Sequence, residues 1–156
     1  NAAGGDIGGN FKYKIKKKNN LLIPSLIRAL NKNTTFNLNG IKHKTPDGTC
    51  IRDFIHVYDI ANAVNCFIKK RQSNIFNIYN LGSSKGYSVK QIVKNFEYYS
   101  KKSMKLKILE NKKGDPANIV SNCNKIRSQL DWKPKYSDIE TILKSSINGL
   151  EIWKTY

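Results

Sequence analysis

Arg52, Asp53, Phe54 and His56 are the residues most able to do chemistry, and they fall within a single short run, Ile51 to Val57. The run alternates. Arg52, Phe54 and His56 share one side of an expected strand, and Ile51, Asp53, Ile55 and Val57 share the other. A guanidinium fixed beside an aromatic suits a planar or phosphorylated anion, because arginine offers a rigid donor fork that lysine lacks. The plainer alternative is a structural ion pair between Arg52 and Asp47 or Asp59. His56, between two apolar residues, reads as a satisfied, half-buried histidine. His43, flanked by Lys42 and Lys44, reads as solvated. Lys112 and Lys113 beside Gly114 could touch a phosphate, or could be a solvated pair. No histidine, cysteine or carboxylate cluster has metal-ligand spacing.

The elements that would hold these side chains follow from pattern. Pro46-Asp47-Gly48 is a turn: proline presets φ, the aspartate bonds its own backbone, and glycine accepts φ > 0. Ile60, Ala63, Val64 and Phe67 recur at helical spacing after the strand, so a helix starts near Tyr58 and ends in the cations Lys69-Lys70-Arg71. Leu21 to Asn31 is a helix with Leu22, Leu26, Ala29 and Leu30 on one face and Pro24 in its first turn. Phe36 to Asn39 is a strand stopped by Gly40, and Ile75 to Leu81 is a strand covered on both faces. Ser88 and Gln91 form a capping box for a helix to about Lys101 that buries Val89, Ile92, Val93 and Phe96. Met104 to Leu109 alternates as a strand with 104, 106 and 108 on its apolar face. Ile119 and Val120 suggest a short strand, Asn122 caps a helix to about Leu130, and Trp132 packs at a core edge. Ser137 and Glu140 form a second capping box. It opens a last helix with a stripe of Ile139, Ile142, Leu143, Ile147, Leu150 and Trp153. Strands alternate with helices, so the class is α/β with a small sheet.

Composition narrows the function. The 156 residues carry a net charge of +17 and 39% hydrophobic residues, enough for one modest core. Lysine is spread along the chain with only one dense cluster, Lys12 to Lys18. No helix-turn-helix, RNP or zinc-finger pattern accompanies it, so no specific nucleic-acid partner is expected. No apolar run reaches the roughly 18 residues of a membrane span. The first residues lack the basic start and apolar middle of a signal peptide, and the chain lacks an initiator methionine, so it reads as a fragment or a processed product. Cys50, Cys66 and Cys123 are odd in number and far apart, which fits reduced thiols and a cytoplasmic protein. Gly4, Gly5, Gly8 and Gly9 fit neither a P-loop nor a dinucleotide fingerprint.

One resemblance runs nearly the whole length. Asp47-Gly48-Thr49, Arg52-Asp53-Phe54-Ile55-His56-Val57 and Asp59-Ile60-Ala61 resemble the signature of UDP-glucose 4-epimerases, in the extended short-chain dehydrogenase/reductase superfamily. Asn1-Ala2-Ala3-Gly4 is similar to the family's Phe-Asn-x-x-Gly segment cut after its Phe. Leu22-Ile23-Pro24, Asn80-Leu81-Gly82 with Gly86 and Ser88-Val89, Lys113-Gly114-Asp115, and Leu130-Asp131-Trp132-Lys133-Pro134 resemble further family segments in the same order.

The resemblance implies the C-terminal, UDP-sugar-binding part of an NAD-dependent Rossmann-type nucleotide-sugar epimerase, residues 1–156, with the NAD-binding region outside the chain. It implies that Asn1 and Arg52 hold the diphosphate, that Phe36, Leu38, Asn39 and Val89 border the uridine, and that Asp115 holds the ribose. Phe54 backs Arg52, and a polar contact falls at Asn20 or Leu21. Lys112 stands where the family has a second diphosphate arginine, and Asn39 where it has an aromatic. The position near Ile119 is where the family tunes room for an N-acetyl group. The implied substrates are UDP-galactose and UDP-glucose. The implied chemistry passes through a 4-keto sugar and NAD, with catalytic residues lying outside this chain: Tyr13 and Lys17 have the Tyr-x-x-x-Lys spacing but lie in the wrong order. The fragment alone is therefore expected to be inactive, and the resemblance allows a homodimer of the full-length enzyme. The rivals are another nucleotide-sugar enzyme of the superfamily (pentose 4-epimerase, decarboxylase or dehydratase), a non-catalytic basic binding module, and a structural remnant.

Overall fold

A computed structural model describes residues 1–15, 20–70 and 76–152. Nine short strands and five helices are described. In chain order they are β1 (Ala2–Ala3), β2 (Tyr13–Ile15), α1 (Leu22–Asn31), β3 (Phe36–Asn39), β4 (Ile51–Asp53), β5 (Ile55–His56), α2 (Val57–Lys69), β6 (Gly86–Ser88), α3 (Val89–Ser100), β7 (Leu106–Leu109), β8 (Asn118–Ile119), α4 (Asn124–Leu130), α5 (Ile139–Gly149) and β9 (Leu150–Ile152). The α/β class is as expected. The small mixed sheet has the order β6-β4-β8, with β4 antiparallel to β6 and parallel to β8. Three parallel pairs accompany it: β1 with β5, β2 with β9, and β3 with β7.

Two cores hold these pieces together. The larger joins Ile23, Leu26, Ile27 and Ala29 of α1 to Phe36 and Leu38, Phe54, Ile92, Val93 and Phe96 of α3, and Ile142 and Leu143 of α5. The smaller joins Ile55 and Ala63 to Cys123, Ile126, Leu130 and Trp132. Each buried leucine, isoleucine, valine or phenylalanine among them contributes about 1.5–3 kcal/mol by leaving water. Trp132 is fully buried rather than at an edge, and its indole N–H donates to the Asp59 carbonyl at 3.1 Å.

Where local chemistry is strong, elements form as expected. Ser88 Oγ accepts from Gln91 N at 3.1 Å and Ser88 N donates to Gln91 Oε1 at 2.9 Å, completing the capping box of α3. Asn122 Oδ1 accepts from Asn124 N as α4 begins. Five expectations fail. Residues 76–81 form no strand: Phe76 and Ile78 are 79% and 65% exposed, so an apolar run without a covering layer stays irregular. Ile75, Arg71 and Trp153 lie outside the described residues. On α1 the buried face is Ile23, Leu26, Ile27 and Ala29, with Leu22 and Leu30 only half-buried, one step round from the expected stripe. The last helix ends at Gly149, because residues 150–152 leave it to pair with β2. Its cap is Asp138, whose Oδ1 accepts from Thr141 N at 2.8 Å, since Ser137 Oγ is spent on Asp59. On β7 Leu106 and Ile108 are exposed, so its apolar face looks outward.

Candidate functional site

Strand β4 is the middle of the mixed sheet, so Arg52 is held from both sides, opposite Tyr87 on β6 and Ile119 on β8. The turn before it is fastened to the start of α3. Asp47 accepts from Thr49 N at 2.9 Å, from Thr49 Oγ1 at 2.7 Å and from Ser88 Oγ. Lys90 Nζ donates to the Asp47 carbonyl at 2.9 Å, and Val89 N to the Cys50 carbonyl at 3.1 Å. Burial alone would push the Asp47 carboxyl up, but the bonds from Ser88 and Thr49 outweigh it and hold it below 3.8. Gly48 takes φ +79°, and a Cβ there would meet the Ile41 carbonyl oxygen at 2.0 Å. Glycine is required at this turn.

Arg52 is paired, though with neither carboxylate that spacing suggests. Its Nη2 donates to Asp115 Oδ1 at 2.5 Å, and its Nη1 to the Ile51 carbonyl at 2.7 Å. Asp115 arrives from the loop ahead of β8, where Ile51 N bonds the Ala117 carbonyl at 2.8 Å. No reading of neighbours along the chain could have found a partner 63 residues away. Cys50 lies beside the pair. Burial pushes its thiol up, Arg52 pulls it back and Asp115 adds to the rise.

Around this pair opens a cavity of about 1170 Å³. Eight of the ten expected site residues line it: Asn1, Asn20, Phe36, Asn39, Arg52, Phe54, Val89 and Asp115. They come from distant segments, which only the fold unites. Two are not brought in. Leu38 is buried in the larger core, and Lys112 stands exposed on the loop after β7. Ile119 is half-exposed and also lies outside the lining. Asn1 Nδ2 donates to the Asp53 carbonyl at 2.9 Å, next to Arg52. Residues not anticipated join the lining, among them Arg28, Cys50 and Ser146.

Two carboxylates of the same stretch, Asp53 and Asp59, are structural, and their long-range roles left no local signal. Asp53 is buried and accepts from Ser83 N, Ser83 Oγ, Ser84 N and Ser121 N at 2.5–3.1 Å, tying the 82–84 loop and residue 121 to β4. Asp59 is buried and accepts from Lys135 N, Tyr136 N and Ser137 Oγ. His56 is fully buried and satisfied. Its Nδ1 accepts from Tyr58 N at 3.1 Å, which leaves the ring proton on Nε2 facing Ser145 Oγ at 3.1 Å. Burial pulls its pKa below 6.5 against the charges of Asp59 and Asp138. His43 is only partly solvated: the turn folds back through His43 N to the Gly48 carbonyl, and its Nε2 is enclosed without a partner.

The described residues do not build a dinucleotide cradle. The glycine-rich start serves packing: a Cβ on Gly4 would strike the His56 ring at 2.3 Å, and Gly5 N donates to Ser145 Oγ. No Gly-x-x-Gly-x-x-Gly turn occurs in the sequence. Lys17, like much of the Lys12 to Lys18 cluster, lies outside the described residues. Tyr-x-x-x-Lys spacing recurs at Tyr98 and Lys102, but Tyr98 is 76% exposed at the end of α3 and neither lines the cavity. No step involving NAD is assigned to this chain. No helix among the described residues is long and apolar enough to cross a membrane.

Comparison with known proteins places this geometry. The model of the NAD dependent epimerase/dehydratase family matches residues 8–82. A UDP-glucose 4-epimerase of Halalkalibacterium halodurans is 34% identical over 152 residues, covering 95% of this chain and 45% of that protein. UDP-arabinose 4-epimerase 1 of Arabidopsis thaliana is 34% identical over 109 residues, 70% of this chain and 26% of that protein. The crystal structure of UDP-glucose 4-epimerase from Bifidobacterium longum in complex with NAD+ and UDP superposes with a TM-score of 0.86 at 29% identity, covering 95% of this chain and 44% of that one. The chain thus spans less than half the length of these relatives. The chain matches one half of its UDP-glucose 4-epimerase relatives and, over residues 8–82, the NAD dependent epimerase/dehydratase family.

Proposed function

We propose that this chain is the UDP-sugar-binding part of a UDP-glucose 4-epimerase, whose full-length form interconverts UDP-galactose and UDP-glucose through a transient 4-keto sugar and NAD. The observation that carries the reading is the single cavity that gathers Asn1, Asn20, Phe36, Asn39, Arg52, Phe54, Val89 and Asp115. In it Arg52 and Asn1 take the diphosphate, a role that suits a rigid guanidinium fork. Phe36, Asn39 and Val89 border the uracil, and Phe54 packs behind Arg52. Asp115 takes the ribose, since a carboxylate accepts from two hydroxyls at once. Lys112 and Leu38 are given no ligand contact. Hydride transfer and proton abstraction belong to residues outside this chain, and the chain alone does not turn substrate over.

The relationship to a UDP-arabinose 4-epimerase keeps a pentose substrate as the second reading. Product analysis separates the two. The full-length enzyme, given NAD, is expected to convert UDP-galactose to UDP-glucose faster than it converts a UDP-pentose. Turnover of the pentose alone would overturn the hexose assignment, and turnover by residues 1–156 alone would overturn the division of labour.

A further inference from the structure

The ion pair in the cavity has a consequence for what can enter it. Arg52 Nη2 sits on Asp115 Oδ1 at 2.5 Å, and the two side chains are 15% and 29% exposed. Nη1 is held by the Ile51 carbonyl. One N–H of Nη2 is therefore spent on a carboxylate and one of Nη1 on a backbone carbonyl, so an anion approaching the fork meets Asp115 beside it. An anion that takes Arg52 competes with Asp115 for the guanidinium, and a carboxylate that loses its cation there is left half-buried beside a second negative charge.

We infer that Asp115 is a selectivity gate: it shuts the arginine site to bare phosphates and opens it to a diphosphate that carries its own ribose hydroxyls. The inference rests on the uridine-nucleotide reading of the cavity. A nucleoside diphosphate brings two hydroxyl donors on the same molecule as the anion. Those donors satisfy the released carboxylate as the anion takes the arginine, so one partner is exchanged for another on both sides. Inorganic pyrophosphate brings only charge, and it repels what it displaces. The gate thus differs from a simple ribose contact: a contact only adds affinity for the nucleotide, whereas a gate also subtracts affinity for everything else. For a chain with a net charge of +17, which draws anions of every kind to its surface, such a filter separates substrate from background phosphate.

The test compares UDP with inorganic pyrophosphate by calorimetric titration at near-physiological salt, on the wild type, Asp115→Asn, Arg52→Ala and the double variant. Asp115→Ser replaces Asp115→Asn if the amide disturbs folding, as judged by thermal melting. The wild type is expected to bind UDP and to bind pyrophosphate at least about tenfold more weakly. Asp115→Asn is expected to tighten pyrophosphate by about tenfold or more while UDP stays level or weakens, and the double variant to lose the gain. Unchanged or weaker pyrophosphate binding in Asp115→Asn overturns the gate, as does a gain that survives in the double variant. If the wild type binds no UDP, the uridine reading falls and the gate with it, whereas UDP binding with pyrophosphate affinity unmoved by Asp115→Asn overturns the gate alone.

Discussion

Asp53→Asn is the substitution whose cost can be worked most fully from the structure. The Asp53 carboxylate accepts four bonds, two at Oδ1 from Ser83 and two at Oδ2 from Ser84 N and Ser121 N. Asparagine keeps the shape but turns one acceptor into a donor. In the cheaper orientation the new nitrogen replaces Oδ1. Ser83 Oγ can rotate to accept from it, but Ser83 N then faces another donor. An unpaired buried donor costs about 1–3 kcal/mol, and the three remaining bonds each lose about 0.5–1 kcal/mol of charge assistance. The sum is about 2.5–6 kcal/mol. An unfolding entropy of about 2.1 cal/mol/K per residue gives about 0.33 kcal/mol per degree for a chain of this size, hence a fall in Tm of about 8–18 °C. Asp131→Asn is the control: its pair with Lys70 is exposed, and its loss is worth at most about 1 kcal/mol. Thermal melts by circular dichroism on the two variants read the difference. A fall of less than about 3 °C in Asp53→Asn would refute the claim that this carboxylate fastens the 82–84 loop.

Two further outcomes follow from buried polar groups and from the turn. His56 has its pKa held below 6.5 by burial, so the unfolded chain binds the proton more readily and stability is lost as pH falls through the window below 6.5. Urea midpoints are expected to drop from about pH 7 to about pH 5, and His56→Gln to be less stable at neutrality but flatter with pH; an unchanged slope would contradict the buried neutral ring. Gly48→Ala forces a positive φ on alanine and drives its Cβ into the Ile41 carbonyl, so it is expected to cost at least about 1–2 kcal/mol in urea unfolding. A neutral result would mean that the turn tolerates another conformation.

What the sequence reveals is what short range decides. The turn at 46–48, the start of α2 and the Ser88 box were legible because their residues lie within a few positions of one another, whereas the single strand expected over 51–57 is parted at Phe54 into β4 and β5, which pair in different sheets. The partners of Asp53, Asp59 and Arg52 were not, since they lie 30 to 78 residues away and no periodicity encodes them. The expected strand at 75–81 failed for the opposite reason. Its residues favour a strand, but nothing among the described residues covers Phe76 or Ile78, and propensity without packing does not fix a strand. The continuation of the last helix into Leu150 failed because pairing with β2 offers residues 150–152 a competing set of backbone partners. The site was legible mainly through the resemblance. Eight of its ten residues meet in one cavity, while Lys112 and Leu38 do not line it.

The central claim is that the Arg52 guanidinium grips the diphosphate of a uridine nucleotide, and calorimetric titration of UDP into the wild type and Arg52→Ala tests it most directly. Charged hydrogen bonds of this kind are worth about 1.5–3 kcal/mol, so saturable binding by the wild type is expected to weaken at least about tenfold in the variant, with little recovery in Arg52→Lys. Equal UDP affinity in wild type and Arg52→Ala would contradict the account.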